Sequence, residues 1–146
     1  MKIRLIWVGR TKEPFVREGI RKYVSLISPY ASVEITELKD EKGRDAATCV
    51  KKEGERIVKL GIPYLLLDER GQQFDSPGFA GMIQRHLPNI SFVLGGAYGV
   101  SDAVRQQARE TVALSRMTFP HELSRVILLE QVYRGFTILH KKGYHH

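Results

Sequence analysis

Residues Ser91–Asp102 read SFVLGGAYGVSD. The apolar run Ile90–Leu94 ends in three glycines within five residues, Gly95, Gly96 and Gly99. Ser101 then stands as an N-cap before Val104 and Ala108 at helical spacing. The segment is therefore a strand, a bare loop and a helix in succession. The same order recurs along the chain. Lys2–Val8 reads as a strand, and Pro14–Ile27 as a helix through Phe15, Val16, Ile20, Tyr23, Val24 and Ile27. Ser32–Leu38 reads as a strand, and Asp45 caps a helix that Gly61 and Pro63 end. Tyr64–Leu67 is a short apolar strand closed by Asp68-Glu69-Arg70-Gly71, and Ser76-Pro77 opens a helix marked by Phe79, Met82, Ile83, His86 and Leu87. Met117–Phe119 is a brief apolar piece before Pro120, and a last helix runs from about His121 to about His140. Strands that alternate with helices, with runs of apolar residues rather than strict alternation, predict an α/β fold, a mostly parallel sheet flanked by helices. Ligands in such sheets bind beyond the carboxyl ends of the strands. Three segments become the candidate site: Asp68 onward, Gly95 onward and Leu114–Phe119.

At 146 residues the chain is expected to form a single domain over 1–146. No apolar run approaches the roughly 20 residues of a membrane span, and the N-terminus is patterned as a strand rather than a signal peptide. The single cysteine, Cys49, precludes an intrachain disulfide and argues against a cysteine zinc site. A cytoplasmic location is the expectation. The net charge of +7 invites an anionic partner. Residues 1–60 hold 14 Lys/Arg against 9 Asp/Glu, 61–100 hold 2 against 3, and 101–146 hold 7 against 4. The glycine stretch therefore lies in the least basic part of the chain.

That placement bears on what the glycines do. GGAYG fits neither the phosphate-loop nor the dinucleotide pattern; no lysine or threonine follows for a phosphate, and no acid stands about 20 positions on for a ribose. Two uses remain open: a tight turn with positive φ, or close approach of bare backbone to a flat uncharged group such as adenine. In the last helix, RVILLEQVYRGFTIL leaves little of the circumference polar, so the helix is expected to be buried on two sides, by the sheet and by a second subunit in a homodimer. Glu130 and Arg134, four apart, share a face of this helix; on an exposed helix they would be an ion pair worth about 0.2–0.5 kcal/mol. On an apolar one they are candidates for a site.

FVLGGAYGVS, ALSRMTFPHELSRVILLEQVYRGFTI and the terminal GYHH, with the VGR start, the KEGERI helix and the LLLDERG strand end, resemble the RlmH family along the whole chain. These are small SPOUT-class methyltransferases that modify a pseudouridine of large-subunit ribosomal RNA. The resemblance implies a C-terminal trefoil knot, a homodimer with its site near the subunit interface, and S-adenosyl-L-methionine as cofactor. By position it assigns cofactor binding to Leu67, Gly95, Leu114, Ser115, Arg116, Met117, Thr118 and Phe119, within the three segments reached above. It implies methylation of N3 of pseudouridine 1915 in 23S ribosomal RNA, on the assembled ribosome. No metal or membrane is implied.

An imide N3–H is a poor nucleophile until its proton leaves, so a base, or a cation that stabilises the anion, is required. The catalytic candidates are Glu130, Arg134, Tyr144, which can stack on a base or hydrogen-bond, and His145, which can transfer a proton near neutral pH. The chain departs from the family by ending in His146 where Lys or Arg is usual, which weakens a phosphate contact there. His121 is expected to order the turn into the last helix. Candidate RNA contacts are Arg10, Lys12, Arg116, Arg125, Arg134, Lys141 and Lys142. The rival reading is a non-catalytic, ribosome-associated binding protein of the same fold.

Overall fold

The computed structural model describes residues 1–144. Five parallel strands lie in the order β2-β1-β4-β3-β5: β1 Lys2–Val8, β2 Ser32–Leu38, β3 Leu65–Gln73, β4 Asn89–Leu94 and β5 Glu110–Ala113. The helices are α1 Pro14–Ile27, α2 Ala46–Lys59, α3 Ser76–His86, α4 Asp102–Gln107 and α5 His121–Leu139. β1 and β4 are central and covered on both faces, hence the apolar runs Leu5–Val8 and Phe92–Leu94 at their carboxyl ends. On one face Ile3, Leu5, Trp7, Phe92 and Leu94 pack with Ile27 of α1, Met82 of α3 and Leu128, Val132 and Phe136 of α5. On the other, Ile6, Val8, Leu66 and Val93 pack with Ile57 of α2 and Val104 of α4. Cys49 is buried as a small apolar residue of α2. No helix among the described residues is long and apolar enough to cross a membrane.

Several local expectations change. Asp75, not Ser76, caps α3, its carboxylate accepting from the Gly78 amide at 2.8 Å. β3 runs well past its apolar stretch because it pairs with β5, with a register shift between Leu67 and Gln72. Gly71 permits that pairing: a Cβ there would sit 2.6 Å from the backbone of Thr111 and Val112. β5 itself precedes Met117–Phe119, which lies in the connection to α5. The polar loop after β2 is bonded to α2. Arg56 donates to the Lys39 carbonyl at 2.8 Å and pairs with Glu41, whose amide donates to Glu53 at 3.0 Å.

α5 lies between α1 and α3 on the sheet. The α1 side is built from Gly19 against Val126 and Tyr23 against Tyr133; on the α3 side Gly135 meets Ala80 and Ile83. Most of the helix's apolar circumference is thus covered within the chain, leaving a half-buried outer stripe that includes Leu123, Ile127, Arg134 and Ile138. Arg125, expected at the surface, is fully buried. Its Nη1 donates to Thr11 Oγ1 and its Nη2 to the Val8 carbonyl, both at 2.8 Å, and its guanidinium lies 4.7 Å from the centre of the Trp7 ring. It ties α5 to the end of β1 and cannot touch RNA from there.

Candidate active site

The carboxyl ends of β3, β4 and β5 surround a cavity of about 620 Å³, within the range of small-molecule sites. β3 contributes Leu67 to Arg70, the β4–α4 loop contributes Leu94 to Val100, and the β5–α5 connection contributes Leu114, Ser115, Met117, Thr118 and Phe119. His121 and Ser124 of α5 close one side. Seven of the eight residues expected at a cofactor line this single space. Arg116 does not; it is exposed beside it.

The charged side chains of the wall hold one another. Arg105 Nε donates to Asp68 Oδ2 at 2.9 Å, and Asp68 Oδ1 accepts the Arg70 amide at 2.9 Å. Thr118 Oγ1 donates to Glu69 Oε2 at 2.6 Å, joining the β3 end to the β5–α5 connection. Two carboxylates, Asp68 and Glu69, thus balance Arg70 and Arg105, so the cavity is not a phosphate cradle. Burial, and then the charge of Arg125, push His121 below the ordinary histidine range, so it presents a neutral imidazole to this space near pH 7.

The glycine loop is a closed turn. The Gly99 amide donates to the Gly96 carbonyl at 3.1 Å, and Gly99 takes φ +83°. A Cβ on Gly95 would lie 2.7 Å from both the Gly99 carbonyl oxygen and Val100 Cγ1. Gly95 is therefore required by the loop's own packing before any ligand arrives. Behind the loop stands α2: a Cβ on Gly96 would meet Glu53 Oε1 at 3.1 Å, and one on Gly54 would meet Ser101 Oγ at 2.4 Å. Burial raises the Glu53 carboxyl above the ordinary glutamate range. Sequence reading missed this support because a glutamate in KEGERI looks like any solvated helix residue. At the cavity mouth Tyr98 is 62% and Met117 72% exposed, two large apolar side chains left uncovered.

The catalytic candidates form a separate cluster. Arg134 donates to both oxygens of Glu130 at 3.1 and 3.2 Å, and the Tyr144 hydroxyl donates to Glu130 Oε2 at 2.7 Å. The Arg134 guanidinium lies 4.8 Å from the centre of the Tyr144 ring, which meets Tyr133 edge-on at 4.7 Å. The tail reaches Glu130 because α5 ends in a reversal: Lys141 takes φ 53° and its amide donates to Ile138 O, while the Lys142 amide donates to Thr137 O at 2.8 Å. The bond to Glu130 drives the Tyr144 phenol well above its ordinary range. The cluster does not line the cavity of its own chain; Glu130 is six residues beyond Ser124, about 9 Å along the helix axis. His145 and His146 lie outside the described residues.

A parallel sheet with a ligand-sized cavity built from three strand-end loops is the architecture of an α/β enzyme or ligand-binding domain. Solved structures similar to it include a probable methylase family protein from Haemophilus influenzae Rd KW20 and a probable methyltransferase from Bordetella pertussis Tohama I. The first has TM-score 0.56 and 11% identity, over 99% of this chain and 70% of that one. The second has TM-score 0.53 and 11% identity, over 91% and 95%. They share the fold. The family described as predicted SPOUT methyltransferase matches residues 1–145. Ribosomal RNA large subunit methyltransferase H of Geotalea uraniireducens (strain Rf4) is 48% identical over 153 aligned positions, covering the whole of both chains. The protein of that name from Geobacter sulfurreducens is 48% identical over 154, again with full coverage of both. The chain belongs to the RlmH family of SPOUT methyltransferases.

Proposed function

We propose that this protein is an S-adenosyl-L-methionine-dependent methyltransferase that methylates N3 of pseudouridine 1915 in 23S ribosomal RNA on the assembled ribosome, acting as a cytoplasmic homodimer. The observation that carries the proposal is the convergence of Leu67, Gly95 and the Leu114–Phe119 connection on one cavity with bare glycine backbone and balanced charge. That lining fits the cofactor: Leu67, Leu94 and Leu114 offer apolar surface to an adenine, and Ser115 and Thr118 offer hydroxyls. With Asp68 and Glu69 offset by Arg70 and Arg105, the lining carries no excess positive charge to attract a phosphate, which suits a ligand that has none. The relatives' name, ribosomal RNA large subunit methyltransferase H, supports ribosomal RNA as substrate.

When bound, the cofactor supplies an electrophilic methyl group; the chain must align the acceptor with it and exclude water. Arg134 is the cation that stabilises the imide anion as N3 loses its proton, and Tyr144, whose hydroxyl proton is given to Glu130, steadies the Glu130–Arg134 pair and stacks on the base. His145 takes the proton-transfer role that the family resemblance gives it. Because this cluster stands apart from its own chain's cavity, it serves the cavity of a second protomer, which is why a dimer is required. The outer stripe of α5 supplies apolar surface for that contact. Calorimetry with S-adenosyl-L-methionine tests the cofactor: micromolar-range binding is expected, and a folded protein that does not bind it refutes the enzyme reading and leaves the non-catalytic one. Mass analysis of 23S ribosomal RNA from cells lacking the gene tests the substrate: loss of the methyl group at the target pseudouridine is expected, and its persistence refutes the assignment.

A further inference from the structure

A second cavity, of about 700 Å³, lies between α1 and the outermost strand β2, and the methyl-transfer chemistry makes no use of it. Its floor is apolar: Ile20 and Val24 of α1 and Ile35 of β2, all half-buried. Because β2 ends the sheet, its apolar side chains on this face lack the two-sided cover that β1 enjoys. Around the floor stand three guanidinium groups, Arg10 from the β1–α1 connection and Arg17 and Arg21 of α1. The last two are four residues apart and share one ridge of the helix. The one carboxylate of the lining, Glu37, accepts from Trp7 Nε1 at 3.3 Å. Three positive charges against one negative make this a cationic groove with a flat apolar base.

We infer that this groove binds a single-stranded RNA segment flanking the methylated nucleotide, an inference that rests on ribosomal RNA being the substrate. The combination suits that ligand: arginines engage phosphates bidentately and stack on bases, and an apolar floor receives an unstacked base. The catalytic cavity cannot supply the phosphate attraction, since its own charges balance. The excess of basic over acidic residues is greatest in residues 1–60, which hold every residue of the groove. Position agrees as well. Arg10 and Thr11 stand at the carboxyl end of β1, the same end of the sheet as the catalytic cavity, so a single strand crossing that end reaches both. Arg17 is already oriented, its Nε donating to the Thr11 carbonyl at 2.6 Å. The Arg21–Glu18 pair, at 3.6 Å and largely in solvent, exchanges readily for a phosphate.

The test uses the double variant Arg10→Gln with Arg21→Gln, two exposed positions outside the cofactor loops, and spares Arg17 because it holds the β1–α1 connection. A 12-nucleotide oligouridylate labelled with a fluorophore is titrated at several salt concentrations. The expected result is at least about a tenfold weaker affinity at low salt. The slope of log K against log salt should fall by about 1.4, since each lost single-strand phosphate contact removes about 0.7. S-adenosyl-L-methionine affinity and melting temperature should stay at wild-type values. Unchanged oligouridylate affinity and slope in the variant overturn the inference. So does an oligoglutamate peptide of equal length that binds the wild type as tightly as the RNA and is lost in the variant, because the groove would then serve an acidic protein segment. Loss of the proposed activity would show instead as absent cofactor binding in the wild type, a separate readout.

Discussion

Gly95→Ala distinguishes a glycine that the fold needs from one that a ligand needs. The new methyl carbon would stand 2.7 Å from the Gly99 carbonyl oxygen and 2.7 Å from Val100 Cγ1, where favourable carbon contacts lie at about 3.5–4.0 Å. Val100 is largely buried and the carbonyl is backbone, so neither neighbour is the free end of a flexible chain. Relief requires opening the Gly96–Gly99 turn, which is closed by a hydrogen bond of 3.1 Å from the Gly99 amide to the Gly96 carbonyl. Overpacking of this kind costs about 1–3 kcal/mol. With an unfolding entropy of about 2.1 cal/mol/K per residue, a chain of 146 residues loses about 3 °C of melting temperature per kcal/mol, hence a drop of about 3–10 °C. The assay is thermal unfolding of the ligand-free protein by circular dichroism, followed by calorimetric titration with S-adenosyl-L-methionine. Gly81→Ala is the comparator: nothing lies within 4 Å of its Cβ position in α3, so it should raise stability by up to about 1 kcal/mol. If Gly95→Ala melts within about 1 °C of wild type while cofactor binding is lost, the glycine serves ligand clearance alone and the steric reasoning is refuted.

Three further outcomes are expected. Arg125→Lys should lower stability by about 1–3 kcal/mol in chemical denaturation, because one ammonium cannot replace two guanidinium nitrogens bonded to Val8 O and Thr11 Oγ1. The fluorescence of Trp7, the single tryptophan, should change with it. Glu53→Gln should flatten the pH dependence of stability. The Glu53 carboxyl is raised in the fold by burial, with Asp40 and Glu41 adding to the shift and the Glu41 amide and Arg56 opposing it. Its protonation therefore favours the folded state, and wild-type stability falls as pH climbs from the ordinary glutamate range through the raised value; an identical profile in the variant would contradict this. Tyr144→Phe should remove one tyrosine that ionises above the ordinary phenol range in an absorbance titration. The Tyr144–Glu130 bond contributes fully below about pH 10 and is lost as pH rises through the raised value. The same variant should reduce methyl transfer far more than stability.

The strand-loop-helix order of Ile90–Val104 and its recurrence were legible in the sequence because a parallel strand buried on both faces carries a run of apolar residues, and caps such as Asp45 and Ser101 act locally. That the three strand ends surround one cavity followed from the same rule. β5 and the extension of β3 were not legible: Glu110–Ala113 is only four residues and carries no pattern of its own, and it is a strand because Gly71 lets its backbone approach. Arg125 looked like a surface cation because nothing local marks it. Its burial is decided by Val8, Thr11 and Trp7, more than a hundred residues away in the chain. Gly95 shows the division most directly. The sequence alone determined that bare backbone follows β4, since composition is local. Which neighbour forbids a side chain there is a matter of distances, and only the folded chain, closing Gly99 and Val100 onto it, decided that the loop itself does.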